Sequence, residues 1–205
     1  MEKILIYRRF ERFWHWMQAI LIIFLAFTGF EVHGSYTFFG YEKAVYYHRI
    51  SSLFLLGLII FTIFWHFTTG EWKQYIPTTE NLFDQILYYL HGIFKGARHT
   101  TKKTVLSKLN PLQVLVYLGF KLVLVPVIVI SGLLYMFHKQ IIENTFIRIL
   151  NIDLESIAVL HSSGAFLLIA FLIVHVYMTT TGHTVTSNIK AMITGYEEIE
   201  EDHIE

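Results

Sequence analysis

Four stretches of this chain are long and apolar enough to cross a lipid bilayer, and they limit the fold more than any other feature. About 20 apolar residues in a helix cover the hydrocarbon core. Phe13–Phe30 is uncharged and ends at Glu31. Ile50–Thr69 lies between Arg49 and Glu71. A third run, from about Leu112 to Phe137, holds a single charge, Lys121. The fourth is uncharged from Ser156 to Ile189, with its core over Ile157–Thr180. Inside a bilayer every backbone polar group must bond within the chain, so runs of this length predict helices. Pro126 and the glycines within them are tolerated in membrane helices. The expected fold is all-α, an integral membrane four-helix bundle forming a single membrane domain over 1–205. Its spans should cover about 13–31, 48–69, 111–137 and 156–181.

Lysine and arginine give the orientation, because they concentrate in cytoplasmic loops. The N-terminal arm carries Lys3, Arg8, Arg9 and Arg12. The loop after the second run carries Lys73, Lys95, Arg98, Lys102, Lys103 and Lys108. The other two loops hold only Lys43 with the flanking Arg49, and Lys139 with Arg148. Both termini are therefore expected in the cytoplasm, with 70–110 a cytoplasmic loop and 190–205 an acidic cytoplasmic tail. The N-terminus is charged where a cleaved signal would be turning apolar, so it reads as a retained start. Within the loop, Asn81–Gly96 repeats Leu82, Ile86, Tyr89, Leu90 and Ile93 at helical spacing, which predicts a short interfacial helix. Trp14, Trp16, Trp65 and Trp72 sit near the cytoplasmic ends of the first two spans and read as an aromatic belt.

The formal net charge is zero, which gives no bulk electrostatic reason to bind nucleic acid. There are no cysteines, which excludes disulfides, thiolate-held iron–sulfur clusters and covalent haem attachment. There are 11 histidines. Any haem would have to be held non-covalently, by histidine or methionine.

Ionisable side chains are costly in a membrane, so histidines within spans are functional candidates by default. His161 and His175 share the fourth span. Fourteen residues apart, they fall within about 40° of one helix face and about 21 Å apart along the axis. Each could serve one iron of a stacked pair of haems. At the outer depth the second span opens with His48; at the inner depth the first span opens with His15, while the second ends with His66. The outer pairing is thus His48 with His161, and the inner one His175 with either His15 or His66. His33, His138, His183, His91, His99 and His203 lie at helix ends or outside the spans and are left as non-ligands. Gly57 and Gly164 are candidates for close approach of a flat macrocycle. Lys121 and Arg49 are candidates for pairing with haem propionates.

RFWHW and FTGF in span one, HR at the head of span two, KLNPLQ before span three, the His161/His175 pair and the exit TTGHTVTSNIKAMITGYEE together resemble one known family. This is the four-helix di-haem cytochrome b subunits of formate dehydrogenases, nickel–iron hydrogenases and thiosulfate reductases. The exit stretch looks most like the thiosulfate-reductase-type branch. The resemblance implies two haem b groups, the outer held by His48 and His161 and the inner by His15 and His175, which decides the inner choice against His66. It implies a quinone, menaquinone being the expected type, close to the inner haem, with Asn110 and Gln113 at the site and Lys108 or Tyr117 assisting. It also implies electron transfer to or from an extracytoplasmic iron–sulfur or multihaem cytochrome c subunit in a hetero-oligomeric complex, with no substrate catalysis by this chain itself. The location implied is the cytoplasmic membrane of a bacterium or archaeon. Without the resemblance, Asn110-Pro111 reads as a helix start, Asn at the N-cap and Pro at the first helical position. A competing reading makes the chain a membrane anchor or a transporter, its histidines lining a proton or metal path.

Overall fold

The computed structural model describes residues 2–78, 82–92, 95, 108–142, 153–182 and 184–199. Four of its helices are long and apolar enough to span a membrane: α1 (Arg9–Val32), α2 (Tyr41–Thr69), α4 (Pro111–Met136) and α6 (Leu154–Thr179). Shorter helices are α3 (Leu82–Leu87), α5 (His138–Ile142) and α7 (Ser187–Thr194). The architecture is the all-α membrane bundle expected. α1 and α2 begin several residues before the uncharged runs, because the charged residues Glu11, Arg12, Glu42 and Lys43 continue the helices beyond the apolar segments.

Local chemistry caps both ends of α1 and the starts of α4 and α6. At the start of α1, the Arg8 N–H donates to the Glu11 carboxylate at 2.6 Å, half of a capping box. At its end Gly34 takes φ 84, and Gly34 and Ser35 donate to the carbonyls of Glu31 and Phe30, a Schellman motif. The loop to α2 is held by Glu31, whose Oε1 accepts from the N–H groups of Phe38 at 2.7 Å and Gly40 at 2.8 Å. α4 opens on a full reciprocal box. The Gln113 N–H donates to Asn110 Oδ1 at 2.8 Å, the Asn110 N–H to Gln113 Oε1 at 3.0 Å, and Pro111 has no N–H to satisfy. The next N–H, from Leu112, reaches Gln85 Oε1 of α3 at 3.0 Å. At the start of α6, Asp153 caps by accepting from the Ser156 N–H at 2.6 Å and its hydroxyl at 2.9 Å. These bonds hold the Asp153 carboxyl below the usual carboxylate range.

Within α4 the residues Phe120–Leu124 form a π-helical turn just before Pro126. Proline cannot donate to the carbonyl four residues back and its ring crowds that carbonyl, so a wide turn here relieves the ladder. Lys121 sits in this turn, half-buried.

The described residues fall into two compact units. One comprises Met1–Trp16, Phe61–Gly119 and Val174–Glu205; the other comprises Met17–Ile60 and Phe120–Ile173. In the first unit the chain ends meet. Strand β1 (Glu2–Leu5) pairs antiparallel with β2 (Tyr196–Ile199), from Glu2 opposite Ile199 to Leu5 opposite Tyr196. The Gly195 carbonyl accepts from Ile6 at 2.9 Å and Tyr7 at 3.1 Å, and the carbonyls at the end of α7 accept from Arg12 at 2.5 Å and Trp16 at 3.2 Å. Residues 190–199, expected as tail, are thus folded into α7 and β2, while 200–205 lie outside the described residues. Of the expected interfacial helix, 82–87 form α3 and 88–92 continue it as a π turn.

Candidate functional site

The second unit brings His48 of α2 and His161 of α6 together, their ring centres 6.3 Å apart and their planes at 86°. Each ring is seated by a neighbouring helix. His48 Nδ1 lies 3.0 Å from the Thr28 hydroxyl of α1, and His161 Nδ1 lies 3.1 Å from the Ser131 hydroxyl of α4. Both hydroxyls are buried, Thr28 at 0% and Ser131 at 1% exposure. Each also lies against carbonyls of its own helix: Thr28 against Phe24 at 3.0 Å and Leu25 at 3.2 Å, Ser131 against Val127 at 2.6 Å and Ile128 at 3.2 Å. A hydroxyl has one proton and two lone pairs. Donating that proton to the helix carbonyl leaves a lone pair to accept from Nδ1–H. The proton then sits on Nδ1, and Nε2 keeps its lone pair for a metal.

Glycines follow both hydroxyls. A Cβ on Gly29 would come within 3.3 Å of His48 Cε1, and one on Gly132 within 3.0 Å of His161 Cε1. These are the glycines that a close approach requires. Gly164, marked in the sequence for a macrocycle, packs instead on Ile128 and Val127, an ordinary contact between helices; a Cβ on Gly57 would meet no protein atom within 4 Å.

The first unit brings His15 of α1 and His175 of α6 together, with ring centres 6.1 Å apart and planes at 52°. His175 Nδ1 lies 3.0 Å from the Tyr117 hydroxyl of α4. His15 Nδ1 is buried and, among the described residues, has no hydrogen-bond partner. His66 takes another place: its Nδ1–H donates to the Thr62 carbonyl at 2.8 Å, and its ring packs against Trp14 and Tyr75. Trp16, read as part of an aromatic belt, ties α1 to α7 through its indole N–H.

The candidates near the start of α4 share this unit. Asn110 and Gln113 form the capping box, and Asn110 Nδ2 donates to the Tyr89 hydroxyl at 3.0 Å. Lys108 is buried, with its ammonium 2.5 Å from Glu11 and 3.7 Å from Glu71, and 6.0 Å from the Tyr7 ring centre. Close by, Gln85 is buried and its Nε2 has no partner among the described residues. The phenols of Tyr7 and Tyr75 belong to the same polar cluster. Burial pushes both pKa values well above the ordinary phenol range, and negative charge nearby (Glu197 and Glu11 for Tyr7, Glu11 and Glu71 for Tyr75) adds to it. Arg49 is exposed beside His48. His33 and His138 lie at helix ends and His91 is exposed in the π turn after α3, while His99, His183 and His203 fall outside the described residues.

Two metal–imidazole bonds of about 2 Å plus two half-rings of about 1.1 Å place the centres of trans imidazoles about 6.2 Å apart. The observed 6.3 and 6.1 Å match that span. Among the described residues no group of three or more His, Asp or Glu gathers as a metal site. Two imidazoles suffice for a metal that brings four equatorial nitrogens of its own, so the donor set fits haem.

A family model described as prokaryotic cytochrome b561 matches residues 6–195. The chain belongs to this family. It is a membrane b-type cytochrome, haem-binding and electron-transferring, and a multi-pass bacterial membrane protein. A relative from Escherichia coli (strain K12), named "Putative cytochrome YdhU", is 28% identical over 200 residues, covering 95% of this chain and 75% of that protein. No solved structure matches this cytochrome.

Thr28 lies within the FTGF stretch of span one, but no role was read for it, and Ser131 and Gln85 were not singled out in the sequence. A polar residue within an otherwise apolar span is the one available signal, and it marks the first two.

Proposed function

We propose that this cytochrome is the di-haem membrane subunit of an oxidoreductase complex, related to the thiosulfate-reductase-type branch. It exchanges electrons between the quinone pool and a redox partner on the extracytoplasmic side. The observation that carries the reading is the double pairing of imidazoles, His48 with His161 and His15 with His175, at separations that suit one metal each. α6 contributes one histidine to each pair.

Bound there, haem supplies one-electron redox chemistry. The chain's own residues do the rest. His48 with His161, and His15 with His175, would hold one metal each, and a metal held by two imidazoles would be closed to oxygen and other small ligands. The Thr28 and Ser131 hydroxyls hold the Nδ1 protons of the outer pair, and the Tyr117 phenol meets Nδ1 of His175. Arg49 and Lys121 are the cations proposed to face propionates.

The quinone, menaquinone by expectation, is placed near the His15–His175 pair, around Lys108, Asn110, Gln113 and Tyr117. Support comes from the buried Gln85 Nε2, a donor with no partner among the described residues, whereas Asn110 Nδ2 already donates to the Tyr89 hydroxyl. The carboxylates Glu11 and Glu71 around Lys108 are proposed to supply the proton route that quinone chemistry needs. The partner is an iron–sulfur or multihaem cytochrome c subunit, and both chain termini face the cytoplasm.

Purified protein tests this by its haem content. Wild type should carry two haem b per chain by the pyridine assay, and His161→Ala and His175→Ala should each lose one. A colourless wild type, or either variant keeping both haems, would refute the ligand set. Gln85→Leu should slow quinone-dependent turnover with both haem spectra intact. Unchanged turnover would move the quinone elsewhere.

A further inference from the structure

The two imidazoles of one pair are seated by the same two-residue device on different helices. On α1 it is Thr28-Gly29 beneath His48; on α4 it is Ser131-Gly132 beneath His161. In each, the hydroxyl reaches Nδ1 and the following glycine lies under Cε1, where a Cβ would stand 3.3 Å away at Gly29 and 3.0 Å away at Gly132. The hydroxyl stops the ring rotating away and the glycine lets it settle against the backbone. The other pair lacks the device. His175 meets a phenol from Tyr117, and His15 Nδ1 has no partner among the described residues.

We propose that the Thr28-Gly29 and Ser131-Gly132 seats position the His48–His161 pair and lower the reduction potential of the haem it holds, while leaving the other haem untouched. This rests on the di-haem reading above. A ligand imidazole that donates its Nδ1–H carries more electron density on Nε2 and is a stronger base towards the metal. Extra donation favours the ferric over the ferrous ion, and hydrogen bonding around the ligands is one of the protein's means of setting potential. Hydroxyls are ordinarily modest acceptors. Here each donates its own O–H to a backbone carbonyl of the same helix, at 3.0 Å for Thr28 and 2.6 Å for Ser131, and such chains strengthen one another in a low-dielectric interior. Both hydroxyls are sealed from solvent, so no water competes for Nδ1–H. Thr28 and Ser131 are positioning residues: they act on the metal through the histidines.

The test is a potentiometric titration of the purified full-length protein, read at the reduced α-band, for wild type, Thr28→Val, Ser131→Ala and Thr28→Ser. The valine and alanine variants should retain two haems per chain. In each, one of the two redox components should move upward, with the ferrous-to-ferric ratio at fixed potential rising about tenfold, equivalent to about 59 mV for one electron. The second component should stay in place, and Thr28→Ser, which keeps the hydroxyl, should titrate like wild type. Two unmoved components in both Thr28→Val and Ser131→Ala would overturn the proposal, as would Thr28→Ser shifting as far as Thr28→Val. If Thr28→Val sheds its haem, Ser131→Ala decides by the same criterion. A wild type without haem would instead overturn the di-haem reading, so the two failures are distinguishable.

Discussion

The four paired imidazoles differ most in what meets Nδ1: a threonine, a serine, a phenol, and in one case no partner among the described residues. The histidines themselves were legible, because an ionisable group inside an apolar run stands out and helical periodicity places His161 and His175 on one face. Their partners were not. Thr28 is 20 residues from His48 and Ser131 is 30 from His161, each on another helix, so no spacing rule connects them. Tyr117 was read only as assisting a quinone, yet its hydroxyl meets His175. The glycine under His161 gives a sharp prediction. A methyl group at Gly132 would sit 3.0 Å from Cε1 and displace the ring by a few tenths of an ångström. Gly132→Ala should therefore weaken haem binding at that pair by about 10- to 100-fold, the range seen when the supports of a metal-ligating histidine are lost. On the di-haem reading proposed above, the pyridine assay should approach one haem per chain, with the spectrum of the remaining haem unchanged. A full complement of two would show that the ring has room to yield.

At the scale of the element, α4 was half legible. Asn110-Pro111 announced its start, and the structure completes the signal with Gln113 as the reciprocal partner and Gln85 as an additional cap. Pro126 was read only as tolerated within a membrane helix; the structure meets it with a π turn over Phe120–Leu124 that the sequence reading did not foresee. Asn110→Ala removes the cap on the Gln113 N–H and the bond that Asn110 donates to the Tyr89 hydroxyl. It should cost about 1 kcal/mol of stability, as other N-cap losses do, seen as a lower thermal midpoint in detergent. Asn110→Asp, which can still accept from Gln113, should recover most of it. The same variant tests the quinone proposal separately: Asn110→Ala should slow quinone turnover while both haem spectra stay intact, and haem loss would remove the residue from that role. At the chain ends, Gly195 takes φ 92 and a Cβ there would stand 2.7 Å from the Tyr7 carbonyl. Gly195→Ala should unpair β1 from β2, read as faster proteolysis of both termini; unchanged protection would show the backbone can shift.

Across the whole molecule the usual distribution of residues is inverted. Phe54 and Phe67 are about 70% exposed on α2, while Thr28, Ser131, Gln85 and Lys108 are buried. Lipid accepts the apolar exterior, and polar side chains turn inward where they find partners. One consequence concerns pH. Tyr7 and Tyr75 hold their phenolic protons more tightly in the folded chain than in an unfolded one, mainly through burial. Their contribution to stability is complete below the unfolded phenol pKa of about 10 and is lost as pH rises from there towards the raised folded values. The thermal midpoint should fall between pH 9 and pH 11, both about one unit from that value. The Tyr7→Phe/Tyr75→Phe double variant should fall less; an equal fall would place the alkaline sensitivity elsewhere. The sequence by itself determined the number of membrane helices, the all-α class and the histidines worth pairing, because burial in lipid imposes length and polarity rules that act locally along the chain. Only the tertiary structure decided which hydroxyl reaches which ring, which glycines make room for an imidazole, and that the chain ends form a sheet. Those contacts join residues far apart in sequence, and their geometry exists only once the helices are packed.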